Sequence, residues 1–283
     1  MKTEFLRMLR RQQGQVVGWG ISMALLGLYL FQFYDTIGAQ REQIERLIQS
    51  YPRELMAFFG DMTQIFTPNG YLNSYFFSYV PMVLGIFAVL AGSGLLAGDE
   101  ENGSLDLLLA HPISRTRFFL ARTMAFGVAI LGILALSWLG FVIGIRGSSL
   151  QIGLLELWLP LLSLFGLLSL YGSLALVFSL ILPARRLAAM AGGIVVVADY
   201  FITALSRLDP DLHRIAQYMP QHFYQGGEAL SGLDYGLLLP ILGGSLALIG
   251  IAWWRFQRKD IRVGGEGSWR LLLLRRKAMH NQS

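Results

Sequence analysis

The sequence contains no cysteine, which excludes disulfides and thiolate chemistry and leaves the redox compartment unreadable. Charge is scarce as well. Only 14% of the 283 residues are Asp, Glu, Lys or Arg, where a soluble domain carries about 25%. No Gly-x-x-x-x-Gly-Lys-Ser/Thr run occurs, so the chain has no phosphate-binding loop of that kind. The run Gly264-Gly265-Glu266-Gly267-Ser268 lacks the lysine and follows an apolar segment rather than a buried strand. The four histidines, His111, His213, His222 and His280, all fall outside the long apolar runs. That removes the commonest ligand for a membrane-buried metal and the base that an intramembrane serine would need. No basic tract interleaved with aromatics is long enough to grip a nucleic acid. We therefore expect no catalytic site, nucleotide site, metal or resident cofactor in this chain, and no nucleic-acid partner.

What is present is apolar. Hydrophobic residues make up 54% of the chain, glycine accounts for 32 positions, and mean hydropathy is +0.51. A spanning helix needs about 20 mostly apolar residues. Six candidates satisfy this, at 16–34, 75–97, 118–145, 154–182, 187–205 and 235–254. Pro160, near the start of the fourth, predicts a tilt or kink there. The first run is too long for a signal-peptide core, and Ile37-Gly38-Ala39 is a poor cleavage site, so it reads as a span.

Lys and Arg sort the connections. With the N-terminus inside, seventeen lie on the inner side and six on the outer, which predicts both termini in the cytoplasm of an inner-membrane protein. Trp19, Trp138, Trp158, Trp253 and Trp254 sit near span ends, as interfacial anchors do. Residues 1–255 thus read as an all-α, six-span domain, and 256–283 as a basic cytoplasmic tail.

Three elements outside the spans stand out. Residues 1–15 place Phe5, Met8, Leu9 and Gln12 on one helical face, predicting a short amphipathic helix along the inner interface. Residues 35–74 form the longest outer loop. Ile44, Leu47, Ile48, Leu55, Phe58 and Phe59 recur at helical spacing, with Tyr51-Pro52 as a break and Thr67-Pro68-Asn69-Gly70 as a turn. In the tail, Ser268 can cap a basic, leucine-rich helix over 269–279 that suits the bilayer surface.

The most informative stretch is the polar island at 98–117. Asp99, Glu100 and Glu101 follow the second span directly. An anionic leaflet repels three carboxylates, whereas a cationic protein surface or the positive end of a helix suits them. Gly103 permits a sharp turn, Ser104 is a good N-cap, and Asp106 lies in the first turn. Leu105, Leu108 and Leu109 form a stripe, and Pro112 ends it before Ser114-Arg115. The stretch reads as a two-turn docking helix between spans two and three.

Residues Glu100-Glu101-Asn102-Gly103-Ser104-Leu105, followed by the leucine run and Pro112-Ile113-Ser114-Arg115, resemble the signature of permease subunits of type 2 ATP-binding-cassette (ABC) exporters. That pattern is an acidic pair, Gly-Thr/Ser-Leu, a leucine pair, then Pro-Val/Ile-Ser-Arg; this chain carries one extra leucine. The six-span layout, the amphipathic N-terminus, the large first outer loop and Asn69-Gly70-Tyr71 before span two extend the resemblance over nearly the whole chain. The resemblance implies that the stretch is a coupling helix seated in a cleft of a separate ATPase. Glu100, Glu101, Gly103, Leu105, Leu108 and Pro112 would supply contact and shape, with Asp99, Ser104, Leu109 and Arg115 completing the docking set. It further implies two cytoplasmic ATPase subunits that bind ATP and Mg, a second permease copy or paralogue, and export of an amphipathic or hydrophobic molecule. A secondary transporter or channel, or a scaffold without transport, is the alternative.

Asp199 is the one clear acid within a span, about 18 Å along the fifth. Burying a charge at that depth costs about 2.5–3.5 kcal/mol on insertion scales. It should face protein or a water-filled route, near Tyr200 or Ser206, or reach the outer headgroups and Arg207. Ala88 with Gly92, and Gly140 with Gly144, have small-xxx-small spacing for close helix contacts, within the chain or at a dimer seam.

Overall fold

The computed structural model describes residues 1–52, 64–103, 105, 114–206 and 208–259. The described residues form helices and connecting turns, with no strand. In chain order the helices are α1 (Lys2–Ala39), α2 (Arg41–Ser50), α3 (Pro68–Leu72), α4 (Val80–Glu101), α5 (Arg115–Ile145), α6 (Trp158–Ile181), α7 (Arg185–Leu205), α8 (Pro210–Ala216) and α9 (Tyr235–Arg258). A π-helical turn, Asn73–Phe77, joins α3 to α4, and two 3₁₀ turns, Pro220–Phe223 and Gly226–Ser231, lie between α8 and α9. Six of these helices are long and apolar enough to cross a membrane.

The six spans match the six apolar runs, but their ends differ for physical reasons. The expected interfacial helix and the first span are one continuous helix, α1. Glu4, Met8 and Gln12 recur every four residues and turn inward, so this face packs on the bundle. The expected turn at Thr67-Pro68-Asn69-Gly70 is instead a helix start. The Thr67 hydroxyl accepts from the Gly70 N–H at 3.1 Å and Pro68 occupies the first helical position, so the second span begins at Pro68 rather than Tyr75. Pro160 is the third residue of α6, where its missing N–H breaks no intrahelical bond, so the reason for a kink there disappears. Of the two stretches of helical spacing on either side of the Tyr51-Pro52 break, the first is the helix α2, which ends at Tyr51. Residues 53–63 and the tail from 260, with its expected helix at 269–279, lie outside the described residues.

Two helices hold the centre. In the second span, Pro68–Glu101, and in α6 some 72% and 67% of the most apolar stretch is buried, against 28% or less in α1, α7 and α9. α6 packs on α4, α7 and α9, and α1 runs along α5. The small residues explain both close pairs. A Cβ on Gly92 would run into the Gly172 backbone of α6, and one on Gly140 into the Ala24 backbone of α1. Both stripes are therefore used inside the chain. The outer faces stay apolar, with Val17, Leu25, Ile194, Leu239 and Leu246 exposed, as lipid contact requires.

Candidate functional sites at the two ends of the bundle

The start of α1, the end of α4, the start of α5, the start of α7 and the end of α9 meet at one end of the bundle. Here the three carboxylates of the island are held, each by a different part of the chain. The island does not begin as a loop: α4 continues through Glu101 and stops at Gly103, whose φ of 65° is the left-handed conformation that ends a helix. Gly103 thus makes the expected turn.

Asp99 is 6% exposed. Its Oδ2 lies 2.5 Å from Nη2 of Arg122 in α5, and its Oδ1 accepts from Nη1 of Arg11 in α1 at 2.7 Å. Arg122 is 3% exposed. It also donates to the Leu95 carbonyl at 2.6 Å, approaches Glu4 at 3.8 Å and stacks over the Phe118 ring at 4.1 Å. The resemblance puts Asp99 among the docking residues; in the structure it is instead the inner anchor of a four-charge cluster joining α1, α4 and α5. A carboxylate so enclosed offers no surface to another chain.

Glu100 pairs with Lys259, Nζ to Oε2 at 2.6 Å, beyond the end of α9. Arg115 secures the same end by donating to the carbonyls of Gln257 and Lys259 at 3.2 and 3.0 Å, which satisfies carbonyls a helix terminus leaves open. Glu101 accepts from the Arg185 N–H at 2.7 Å. The residue before α7 is Ala184, which cannot cap it, so Glu101 supplies a carboxylate to the positive end of that helix. Leu105 is 3% exposed and belongs to the hydrophobic core. Ser104, Leu108, Leu109 and Pro112 lie outside the described residues. What the described part can do is mechanical. Moving the end of α4 pulls on α1, α5, α7 and α9 through charge and hydrogen bonds.

The opposite end carries Asp199, fourteen residues into α7 and about 21 Å along it. It is 1% exposed and faces protein, one of the two alternatives, with partners other than Tyr200 or Ser206. Its carboxylate accepts from the Tyr171 hydroxyl of α6 at 2.5 Å, from the Gln221 backbone N–H at 3.1 Å and from Thr203 at 3.3 Å. Arg207 lies outside the described residues.

Asp199 thereby holds a cap, residues 208–234, which folds back between the helices. Other side chains complete the anchoring. Ser163 Oγ accepts from the Gln225 N–H at 3.0 Å, and Asn73 Oδ1 from the Gly227 N–H at 2.9 Å. The Gln225 amide makes two bonds to the Asp234 backbone, at 2.9 and 2.7 Å. Tyr224 donates to the Phe77 carbonyl at 3.2 Å. Irregular backbone survives beside membrane helices only when its polar groups are satisfied in this way. Replacing Tyr171 by Phe removes one donor from the buried Asp199 and is expected to cost about 1–3 kcal/mol, read as a lowered unfolding temperature of the purified chain in detergent.

Two cavities accompany these anchors. One, of about 310 Å³, opens beside the cap between Asn73, Phe77, Tyr200, Thr203, Gln221 and Glu228. The other, of about 230 Å³, lies among α4, α5, α6 and α9 and is almost wholly apolar, walled by Leu95, Phe126, Phe165, Leu176 and Leu246.

Sequence reasoning missed Arg122, Tyr171 and the cap. Arg122 had a readable signal, being a cation eight residues into an apolar helix, where a charge needs a partner. Tyr171 and Gln225 had none, because their partners are fixed only by tertiary packing.

Compared with known proteins, the chain matches the family model described as ABC-2 family transporter protein over residues 4–261. No curated protein matches it.

Proposed function

The chain belongs to the ABC-2 transporter family and is the permease of an ABC transporter embedded in the membrane, and from that premise we propose that it exports an amphipathic or hydrophobic molecule across the cytoplasmic membrane. Two cytoplasmic ATPase subunits, which bind ATP and Mg, drive it, and a second permease copy or paralogue completes the route. Both termini lie in the cytoplasm. The segment 98–117 is the coupling element, with Glu100, Glu101, Gly103, Ser104, Leu108, Leu109, Pro112 and Arg115 as its contact and shape residues and the buried Leu105 holding its start against the core. Asp99 acts from behind, as its anchor.

The observation that carries this reading is the division of the three carboxylates. Asp99 reaches α1 and α5, Glu100 reaches the end of α9, and Glu101 reaches the start of α7. A push on the segment after α4 is therefore delivered to four further helices at once. The apolar cavity among α4, α5, α6 and α9 supports an apolar cargo, since its wall offers few polar groups. The charge bias of the connections supports the orientation.

The test is reconstitution of the chain with its ATPase in sealed vesicles loaded with a fluorescent amphipathic dye. ATP supplied on the ATPase side should move the dye to the opposite side, and a non-hydrolysable analogue should not. Movement at equal rates with and without ATP contradicts the reading.

A further inference from the structure

Two arginine side chains lie along the last turns of α4, and only one of them has a counter-charge. Arg122 of α5 donates to the Leu95 carbonyl and meets Asp99 at 2.5 Å and Glu4 at 3.8 Å. Arg185 begins level with Glu101, which accepts from its backbone N–H. A long cationic side chain at a span end ordinarily turns back toward the interface. Arg185 runs inward instead. Its Nη2 lies 3.4 Å from the carbonyl of Leu90, eleven residues before Glu101. That single long hydrogen bond is all the Arg185 side chain makes with the described residues, and none of their carboxylates pairs with it. A guanidinium carried about 10 Å inward from the end of a spanning helix calls for an anion.

Glycine makes the inward path. A Cβ on Gly94 would sit 3.0 Å from Arg185 Nη2, so the guanidinium rests on bare backbone. One turn later, a Cβ on Gly98 would sit 3.9 Å from Arg185 Nη1 and 3.4 Å from Arg11 Nη2. Arg11 gives its Nη1 to Asp99, while its Nη2 makes no hydrogen bond to a described residue. Two guanidinium edges, one from α1 and one from α7, therefore converge over Gly98. The acceptors beside them are engaged, Asp99 by Arg11 and Arg122, and Glu101 Oε1 by the Arg185 N–H. Arg10 and Arg186, each next in sequence to one of the pair, add exposed positive charge at this end. A phosphate whose oxygens reach a donor on each side at about 2.8 Å bridges such a pair. On the same face of α4, Val83, Ile86 and Leu90 are exposed, so the groove continues a lipid-facing stripe. We propose that this groove holds the phosphate of an anionic membrane lipid, clamped by Arg185 and Arg11 and tying α7 to α1 across α4. The acyl chains lie along the apolar stripe, which favours a lipid over a free phosphate. The inference goes beyond the exporter reading and uses it only to assign the leaflet. With both termini in the cytoplasm, the groove opens to the anionic inner leaflet.

The test uses the full chain purified in maltoside micelles, with no ATPase and no ATP, so its failure is separable from failure of the export reading. Dioleoylphosphatidylglycerol and dioleoylphosphatidylcholine are titrated separately, and lipid-bound chain is counted by native mass spectrometry. Phosphatidylglycerol should bind saturably, its first copy at least about tenfold more tightly than phosphatidylcholine, whose own cation opposes the clamp. Arg185→Gln should weaken phosphatidylglycerol by about fivefold or more and leave the unfolding temperature of the lipid-free chain unchanged, because only the long bond to Leu90 is lost. Gly98→Leu keeps both arginines but fills the space between them, and should weaken binding to a similar extent. Arg186→Gln, one residue away, should leave it nearly unchanged. Equal affinity for the two lipids, or unchanged affinity in Arg185→Gln or in Gly98→Leu, overturns the proposal. Equal losses in Arg185→Gln and Arg186→Gln would mean diffuse attraction to surface charge and overturn it too. Inorganic phosphate that displaces the lipid at matched concentration would assign the groove to a free anion and overturn the lipid assignment.

Discussion

Asp99→Ala is expected to destabilise the bundle by about 3–5 kcal/mol, the cost of removing one partner from a buried ion pair. The reason lies in what remains. Arg122 stays 3% exposed, with Glu4 at 3.8 Å, one carbonyl and the Phe118 ring as its remaining partners, and it then faces Arg11 across the vacated position. The lost attraction is only part of the penalty; the larger part is a buried cation left with its closest counter-charge removed. The double change Asp99→Ala with Arg122→Met should accordingly recover most of the loss, because an apolar side chain fills the same depth without a charge to solvate. Thermal unfolding of the purified single and double variants in detergent measures both numbers. A single variant within about 1 kcal/mol of the parent would show that the cluster contributes little.

Glu100→Lys is expected to leave the chain folded and to cut ATP-driven transport by about ten- to a hundredfold, the range of a coupling energy of about 1–3 kcal/mol. The substitution sets two ammonium groups against each other where Glu100 and Lys259 now pair at 2.6 Å. Arg115 still holds the last carbonyls of α9, so the helix end stays in place while its tie to α4 is lost. Hydrolysis by the ATPase should continue, which separates lost coupling from lost assembly. Adding Lys259→Glu restores the pair with reversed sign and should restore transport. A doubly reversed protein that stays as inactive as Glu100→Lys would mean that Glu100 acts on something other than Lys259.

These expectations rest on features of unequal legibility. The six spans could be read from the sequence because length and hydropathy alone decide what crosses a bilayer. Their ends could not. Asp99, Glu100 and Glu101 look like a loop because charge normally ends a membrane helix, yet α4 runs through them. Glu100 is neutralised by Lys259, 159 positions away, and Asp99 by Arg11 and Arg122, while Glu101 accepts a backbone N–H 84 positions away. Arg122 lies near the start of a span, where flanking positive charge is ordinary, and only its depth in α5 shows that it is a structural cation. The place of Asp199 in an apolar run leaves two outcomes, facing protein or reaching the headgroups, and it is buried against protein. Its partners Tyr171 and Gln221 were not, since no periodicity links a span to a fold-back cap. The glycine pairs were readable as contacts, but the partner helix became visible only with the backbones in place.

The central claim is that the segment following α4 is gripped by the ATPase, and the lack of any cysteine makes a direct measurement simple. Leu108→Cys carrying a short thiol-linked photo-cross-linker would be compared with Glu228→Cys at the cap, each in membranes containing the ATPase. The account predicts a permease–ATPase adduct from position 108 whose yield changes when ATP is added, and none from position 228. No adduct from position 108, or the same yield from both positions, would contradict it.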